Sequence, residues 1–585
     1  MSTAHAAEVS RFGTVKLWVM VRWGVIVAAL VVACLWKVGG ASGPDAGPAR
    51  AQFATRPNII LILADDMGYS DLGCYGSPIP TPNIDRLAQG GLRFTQFYNG
   101  ARCCPTRAAL LTGLYAHQAG IGDMVGASRN YPGDLSHNAI TLGEGLSAAG
   151  YSTYMSGKWH VTPWRPNSPT MVENTPIGRG FDHFYGIIQS VRSYYNPPSL
   201  MEDGKQLPAT TGNYYLTDAL TDHAVKYLHE QPKNKPYFLY MAYTAPHFPI
   251  QAPEADIAKY RGKFKAGWDA LKKQRYENQL ALKLIDPAWP LPERDPQELP
   301  WNDIDPACID WFDTRMAVYT AMIQRMDQGV GAIIKEVEAR GEADNTLILF
   351  LSDNGGCAEE VTPEGLGDGF PTVTRAGKSI HLGNDPSVMP GPEDTYESYG
   401  LEWAGLSNTP FRKYKSFVHE GGISTPLITY WPNRIKPGIT REIGHVIDFM
   451  PTLLELAQAT YPKEYKGHAI TPVEGRSLLP VWAGQSRPDV VYGWEHEGNR
   501  AVRVGDWKMV SVARHPWELY DLKKDRLETH DLAQSMPEKL AEMESKYNEW
   551  ATHVGAKPFN GRPTLSGWED PSSHYKKKSP GTEVR

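Results

Sequence analysis

The sequence has few cysteines for its length. Only six occur in 585 residues, and none has the CxxC spacing or the His/Cys spacing that a zinc site requires. A long chain with so few cysteines is not a disulfide-stabilised scaffold. We therefore expect Cys74, Cys308 and Cys357 to be small buried hydrophobic residues.

Concentrated positive charge, internal repeats and low-complexity tracts are also missing. The net charge is −6, and the one notable basic run is YKKKS near the C-terminus, so the chain lacks the electrostatic footprint of a nucleic-acid-binding protein. Hydrophobic residues make up 41% of the chain, which excludes a disordered protein. The sequence therefore indicates a large globular protein with a main core and at least one smaller domain.

The N-terminal apolar run, Trp23–Trp36, is shorter than the ~20 residues that span a bilayer comfortably. Basic residues precede it and a Gly/Ala/Pro-rich stretch follows, which is typical of an export signal. Two alternatives stay open: an uncleaved anchor over 17–36, and a lipoprotein lipidated at Cys34. We predict that residues 1–55 are an export signal or membrane anchor with a linker, and that the protein is periplasmic or extracellular.

Apolar runs and helical stretches alternate along the next four hundred or so residues. NIILILADD (58–66), PYFLYMAYTAPH (236–247) and NTLILFLSDNGG (345–356) are apolar at almost every strand position, as expected of strands buried on both faces. This alternation predicts an α/β fold with a large, mostly parallel sheet sandwiched by helices. We assign 56–484 to this domain, with insertions near 255–312 and 358–409 as candidates for a lid or substrate wall.

The pattern changes after about residue 485. RAVRVGDWKMV predicts a hairpin around Gly505–Asp506, and WELYDL predicts a further strand. A helix with Ser535 as its cap and Pro537 in its first turn follows, with apolar residues at helical spacing. We predict that 485–585 forms a smaller subdomain, an antiparallel sheet with a closing helix.

Oxygen ligands end two of the strongest predicted strands. Asp65 and Asp66 end one, and Asp353 and Asn354 end the other, and sites in open α/β sheets gather at such carboxyl ends. Helix capping and turns explain one such pair equally well. Two pairs after matched apolar runs favour a cation, and an oxygen-only donor set selects Ca²⁺ or Mg²⁺.

Cationic residues follow the same placement. Lys158 and His160 lie two apart in SGKWH, so on an extended chain they share one face. His247 lies at a predicted strand end, and Lys415 lies in the segment PFRKYKSFVHEGG. Taken singly, each has an ordinary structural explanation, but together they favour an anionic substrate group.

The stretch CCPTRAALLTG resembles the C-x-P-x-R signature of the type I sulfatases of the alkaline phosphatase superfamily. In that register Cys103, Pro105 and Arg107 form the motif, and Cys104 fills a variable position. The resemblance extends through GKWH, APHFP, SDNGG and FRKYKSFVHEGG over most of 56–480, and is closest to bacterial arylsulfatases. It implies an alkaline-phosphatase-like fold and hydrolysis of sulfate monoesters, carried by an aryl group, another small molecule or a glycan.

The resemblance also implies a modified nucleophile and a metal ion. A formylglycine-generating enzyme would oxidise Cys103 to formylglycine, whose hydrate attacks sulfur and then releases sulfate by collapsing to the aldehyde. Ca²⁺, in preference to Mg²⁺, would be held by residue 103 with Asp65, Asp66, Asp353 and Asn354.

The remaining site residues take their roles from the same resemblance. Arg107 would steady the hydrate and the metal carboxylates by charge-assisted hydrogen bonds. Lys158 and Lys415 would hold the sulfate oxygens. His247, aided by Lys415, would protonate the leaving oxygen, and His160 would deprotonate the second hydroxyl.

Two other functions fit parts of the sequence. A phosphonate monoester or phosphodiester hydrolase of the same superfamily uses the same nucleophile and similar ligands. A non-catalytic sulfated-glycan-binding protein would keep the fold, but it predicts loss of at least one catalytic residue. All ten positions hold the expected residue type, which favours an enzyme.

Overall fold

The structure is a computed structural model that describes residues 52–53, 55–126, 131–165, 171–363, 370–561 and 575–577. The predictions of an anchor over 17–36 and of a lipidated Cys34 fall outside these residues. Within the described part of the chain, no helix combines the length and apolarity needed to cross a bilayer.

The strands follow the apolar runs of the sequence. Every residue of the first strand, NIILILA, is buried, because layers of side chains cover both faces of the sheet. The strands are β1 (Asn58–Ala64), β2 (Leu92–Tyr98), β3 (Ser152–Lys158), β4 (His183–Ile187), β5 (Leu200–Glu202), β6 (Lys205–Gln206), β7 (Tyr237–Ala242), β8 (Thr346–Ser352), β9 (His381–Leu382), β10 (Thr395–Tyr396), β11 (Ser424–Tyr430), β12 (Gly438–Thr440), β13 (Gly444–His445), β14 (Glu464–Tyr465), β15 (His468–Ala469), β16 (Val491–His496), β17 (Asn499–Val504), β18 (Trp507–Ser511) and β19 (Glu518–Asp521).

The large sheet has eleven strands in the order β12-β2-β11-β8-β1-β7-β3-β4-β5-β6, with β13 also paired to β2. Its centre, β8-β1-β7-β3-β4, is parallel throughout. Strand β11 runs antiparallel to both β2 and β8, so the sheet is mixed. The predicted α/β class, with a large and mostly parallel sheet, is confirmed.

Helices cover both faces of this sheet. They are α1 (Pro82–Gly90), α2 (Cys103–Thr112), α3 (Leu142–Ala148), α4 (Leu216–Glu230), α5 (Glu254–Ile257), α6 (Gly267–Ala281), α7 (Ile309–Ala339), α8 (Leu401–Ser407), α9 (Glu420–Ile423), α10 (Phe449–Leu456), α11 (Leu479–Trp482) and α12 (Pro537–Val554). Alternate residues of β1 face opposite cores. Ile60 and Ile62 pack with α4 and α7, whereas Ile59, Leu61 and Leu63 pack with α2, α3 and α10.

The predicted insertions contain regular elements of their own. The segment 255–312 includes α6, where Trp268 is buried and Arg275 donates to Asp71 Oδ1 at 2.6 Å. The segment 358–409 includes β9, β10 and α8. An ion pair thus holds helix α6 against the segment that follows β1. The composition of residues 255–312 did not indicate this contact. The function of both segments as a lid or wall stays a prediction.

A second sheet, β16-β17-β18-β19, is antiparallel, as the hairpin signals predict. Helix α12 buries Met543, Tyr547, Trp550 and Val554, in agreement with the predicted apolar spacing. The predicted cap is wrong: the helix is preceded by Met536 without a side-chain cap, and Ser535 Oγ instead bonds Leu532 O. The smaller antiparallel sheet with its helix is therefore present, while the boundary at 484/485 stays a prediction.

Buried ion pairs join this smaller sheet to helix α9. Lys508 Nζ lies 2.9 Å from Glu420 Oε1 and 2.7 Å from Glu528 Oε1, with all three side chains inaccessible to solvent. Arg526 Nε donates to Glu420 Oε2 at 3.0 Å. Such charges are tolerated in an interior only as partners, so the sheet is fixed against the large domain by electrostatic contacts as well as by apolar packing.

Candidate active site

The carboxyl ends of β1 and β8 bring four oxygen-bearing side chains together. The two strands pair in parallel register up to Ala64 and Ser352, so the residues that follow are neighbours. Asp66 N donates to Asp353 Oδ1 at 3.2 Å, and Asn354 Nδ2 donates to Asp66 Oδ1 at 2.7 Å. Asp66 adopts a left-handed backbone with φ of 66°, a strained conformation of the kind that clusters at functional sites.

Two buried oxygens in this group have no hydrogen-bond partner among the described residues: Asp65 Oδ1 and Asn354 Oδ1. Leaving a buried acceptor unsatisfied costs roughly 1–3 kcal/mol. A divalent cation would supply the missing partner for both, since Ca²⁺ and Mg²⁺ take carboxylate and amide oxygens. A ring nitrogen of His247 and one carboxylate oxygen each of Asp65 and Asp66 also lie within 4.8 Å of one another. The donor set therefore fits a hard cation.

Helix α2 places two thiols beside this group. It begins at Cys103, with Arg102 as its N-cap residue. Pro105 is therefore the third residue of the helix and not its first. Ligand atoms of Cys103, Cys104 and His160 lie within 4.8 Å of one another. The thiol of Cys104 hydrogen-bonds Cys103 and lowers the pKa of Cys103 well below its usual value, with Lys158 acting in the same direction.

Arg107 joins the two strand ends. Its Nε and Nη2 atoms donate to Asp353 Oδ2 at 3.1 and 2.7 Å, and Nη2 lies 3.6 Å from Asp65 Oδ1. Nη1 donates to the carbonyl of Lys158 at 2.8 Å. The guanidinium, which has no solvent exposure, thereby fixes β1, β3 and β8 relative to one another.

Two lysines pair with the two adjacent aspartates. Lys158 Nζ lies 2.7 Å from Asp65 Oδ2, and Lys415 Nζ lies 2.9 Å from Asp66 Oδ2. Burial opposes the charged form of each lysine, but the neighbouring aspartate and the other acidic groups nearby together outweigh it and raise the pKa of both. Burial would raise the pKa of Asp65, yet Lys158 and the other nearby cations lower it. The two lysines and Asp65 are therefore charged at neutral pH.

The two histidines approach from different segments. The prediction that Lys158 and His160 share one face of a strand is wrong, because β3 ends at Lys158 and His160 has a left-handed backbone with φ of 54°. Both side chains nevertheless reach the site. Burial lowers the pKa of His160 to about 4. His247 Nε2 lies 3.4 Å from Asp66 Oδ2, and burial lowers its pKa as well.

The ten residues predicted from the sequence therefore lie together, and each is at most 5% exposed. The sequence reasoning missed a neighbouring group. Arg102 Nη2 lies 3.0 Å from Glu359 Oε1, Arg102 also hydrogen-bonds Ser416 Oγ, and Glu359 lies 3.9 Å from Lys415 Nζ. In the sequence, only the position of Arg102, immediately before Cys103, could have indicated that this group lies near the site.

The assembled site is a buried set of paired acidic and basic groups. Three carboxyl groups face three basic side chains: Asp65, Asp66 and Asp353 against Arg107, Lys158 and Lys415. A divalent ion at the carboxylates would leave an excess of positive charge beside the Cys103 end of α2, where helix N-terminal amides also favour anions. Such a site can bind an anionic group next to a nucleophile and two histidine side chains.

Comparison with known proteins agrees with this chemistry. The profile of the Sulfatase family matches residues 57–459, and that of the N-sulphoglucosamine sulphohydrolase C-terminal region matches residues 411–552. An arylsulfatase of Klebsiella aerogenes is 32% identical over 74% of this chain and 94% of its own length. An uncharacterised sulfatase of Schizosaccharomyces pombe is 33% identical over 83% of this chain and 92% of its own.

A solved structure, Ps i-CgsB in complex with k-i-k-neocarrahexaose, aligns with a TM-score of 0.60 at 25% identity, covering 89% of this chain and 96% of the other. The match of the Sulfatase profile over more than half of the chain, together with the two sequence relatives, settles the family. The chain belongs to the sulfatases and is a sulfuric ester hydrolase of that family.

Proposed function

We propose that this sulfatase hydrolyses a sulfate monoester with residue 103 in the formylglycine form and with Ca²⁺ held by Asp65, Asp66, Asp353 and Asn354. The observation that carries the metal assignment is the pair of buried acceptors, Asp65 Oδ1 and Asn354 Oδ1, that lack partners among the described residues. When bound, the ion would lower the pKa of a coordinated hydroxyl and so supply a nucleophile at neutral pH.

Asp353 is suited to receive the proton of the nucleophile. Burial and the nearby Asp65 raise its pKa well above the usual value, against the opposing effect of Arg107. The two hydrogen bonds from Arg107 to Asp353 Oδ2 hold the carboxylate in place, while Oδ1 accepts from the amide of Asp66. Arg107 is thus the group that orients the acceptor.

Lys158 and Lys415 bind the sulfate group in this proposal. Each ammonium is inaccessible or nearly so and has a raised pKa, so both are charged when an anion enters. Fixed cations in a buried site stabilise the charge that develops on the sulfate and leaving oxygens without having to reorient.

The two imidazoles divide acid and base duties. His160, neutral at physiological pH because its pKa is about 4 and close to Cys103, accepts the proton of the second hydroxyl. His247, in its protonated form, donates a proton to the leaving oxygen and becomes neutral, with Lys415 in support. A two-step displacement needs both groups, one for each step.

The substrate is an aryl sulfate or a sulfated glycan. The arylsulfatase relative spans most of this chain, and the aligned Ps i-CgsB structure is a complex with k-i-k-neocarrahexaose. Turnover of an aryl sulfate against an aryl phosphodiester tests the reaction class. We expect the sulfate ester to be hydrolysed faster, and much faster phosphodiester cleavage would favour the phosphohydrolase alternative.

Mass spectrometry of the peptide that contains residues 102–107 tests the nucleophile. Protein produced in a cell with a formylglycine-generating enzyme should carry an aldehyde or its hydrate at residue 103 and an unmodified thiol at Cys104. An unmodified thiol at Cys103 in fully active protein would exclude the mechanism.

We also propose that the protein is exported, with residues 1–55 as a signal, membrane anchor or lipid attachment region. The support is the sequence pattern alone. Cell fractionation with antibody detection separates the alternatives: a cleaved signal gives soluble periplasmic or secreted protein, whereas an anchor or a lipidated Cys34 leaves the protein in the membrane fraction.

A further inference from the structure

A second group of candidate metal ligands lies near Arg102, the residue before Cys103, and takes no part in the proposed reaction. It consists of Asp123, in the segment that follows α2, His496 at the end of β16, and Glu497 in the turn between β16 and β17. One ligand atom from each residue lies within 4.8 Å of the other two. The cluster therefore joins the large domain to the smaller antiparallel sheet.

The imidazole of His496 is the feature that points to a ligand. The residue is 1% exposed, yet neither Nδ1 nor Nε2 has a hydrogen-bond partner among the described residues. A neutral imidazole carries one donor and one acceptor, and burying both without partners is unfavourable. One ring nitrogen instead lies near two carboxylates, an arrangement that a cation would satisfy.

The local charge balance indicates the same occupant. Arg102 is the nearby permanent cation, and it already forms an ion pair with Glu359 at 3.0 Å. Glu497 interacts electrostatically with the same guanidinium. Asp123 in turn interacts electrostatically with both Glu497 and His496. Lys415 Nζ also lies 3.9 Å from Glu359 Oε1, but the three carboxylates still outnumber these two basic groups. A divalent ion would neutralise the remaining negative charge in this largely buried place.

We propose that Asp123, His496 and Glu497 form a second metal site, which binds a divalent transition-metal ion, Zn²⁺ foremost. Oxygen-only sets prefer Ca²⁺ or Mg²⁺, whereas an imidazole nitrogen with two carboxylates is a ligand set for Zn²⁺. Three protein ligands leave one tetrahedral position open to water or to a polar group of the substrate.

The site has a defined relation to the reaction centre. Asn499 Nδ2, next to the turn that bears Glu497, donates to the carbonyl of Ser416 at 2.9 Å, and Ser416 follows the sulfate-binding Lys415 in the chain. Arg102, which bonds Ser416 Oγ, precedes Cys103. A metal ion there would stabilise the wall between the smaller sheet and the nucleophile.

Zinc binding to the full-length chain in a Cys103→Ala background tests the proposal. This background removes the thiol and any modification at residue 103, so the result does not depend on whether the proposed mechanism is right. Equilibrium dialysis against Zn²⁺ with excess Ca²⁺ present should give one zinc equivalent that is lost in the added variants Asp123→Asn and His496→Ala. We expect the affinity to fall at least about tenfold, since even outer-shell partners of metal ligands contribute that much.

His515→Ala is the matched control, because His515 is an exposed histidine of the same small sheet region. It should bind zinc like the parent. Asp123 is only partly buried, so Asp123→Asn gives a folded test if His496→Ala does not fold. Equal zinc binding by the parent, the control and Asp123→Asn would identify an adventitious ion and overturn the proposal, as would the absence of bound zinc in the parent.

Discussion

Arg107 donates two hydrogen bonds, from Nε and Nη2, to the same carboxylate oxygen of Asp353, at 3.1 and 2.7 Å. Neither side chain has any solvent exposure. The pair joins α2, which begins at Cys103, to the residue that follows β8, so one guanidinium fixes the helix that bears the proposed nucleophile relative to the proposed proton acceptor.

Replacement of this arginine should therefore affect folding as well as activity. In Arg107→Ala, Asp353 and Asp65 keep their buried positions without their shared cation, which should cost about 3–5 kcal/mol of unfolding free energy. Urea denaturation measures the loss. Arg86→Ala is the control, since Arg86 makes an exposed pair with Glu338 and should change stability by less than about 1 kcal/mol. Equal stabilities of the two variants would show that Arg107 has no structural function.

The two adjacent cysteines should respond differently to the same substitution. Cys103→Ala should abolish turnover of an aryl sulfate and leave the circular dichroism spectrum unchanged, because alanine fills the buried first turn of α2 without strain. Cys104→Ala removes a fully buried thiol and should retain activity with a modest loss of stability. Near wild-type turnover by Cys103→Ala would refute the nucleophile assignment.

Removal of calcium should lower thermal stability. A cation that binds the folded chain alone stabilises it by about 2.7 kcal/mol at a hundredfold excess over its dissociation constant. Differential scanning calorimetry with chelator and with added Ca²⁺ measures the difference. Asn354→Ala should reduce the increase in melting temperature that calcium causes, whereas replacement of the exposed Asn302 by alanine should not. The same calcium shift in both variants would place the ion elsewhere.

Acid should destabilise the protein partly through His445, which lies away from the proposed ligands. Burial lowers the pKa of His445 to about 3, while an unfolded histidine titrates near 6.5. The contribution of its neutral form is therefore complete above the unfolded pKa and is lost as pH falls towards the folded one. Between about pH 7 and pH 5 the protonation of this histidine should lower the free energy of unfolding by about 2 kcal/mol.

The variant His445→Phe isolates that contribution. Phenylalanine keeps a ring against Tyr492 and Trp494, the neighbours of His445, and cannot titrate. In urea denaturation between about pH 7 and pH 5, the free energy of unfolding should fall less steeply with decreasing pH in the variant than in the wild type. His515→Phe, at an exposed position, should follow the wild type, and parallel curves for all three proteins would contradict the prediction.

The smaller sheet should depend on its buried lysine. Lys508→Met leaves Glu420 and Glu528 without that partner, which should cost about 3–5 kcal/mol. Lys546→Met, which removes a surface pair with Glu549, should cost less than about 1 kcal/mol. Denaturation monitored by tryptophan fluorescence distinguishes them, and a stable Lys508→Met protein would show that apolar packing alone fixes the sheet.

The sequence predicted those parts of the structure that depend on short stretches of chain. Fully apolar runs gave β1 and β8, and the oxygen ligands at their ends followed from strand polarity. Two predictions of cap and backbone conformation were wrong: Met536, and not Ser535, precedes the last helix, and His160 does not have an extended backbone. Contacts between distant segments left no local trace: a lysine within a strand normally indicates exposure, but Lys508 is fully buried.

The candidate site draws its residues from segments that begin at Asp65 and end at Lys415. Contacts between residues so far apart in sequence form late, since each requires a large loop to close first. No fragment that stops short of Lys415 can contain the whole set. Sulfatase activity should therefore appear only at the end of folding, which makes turnover itself a sensitive kinetic reporter of completed refolding.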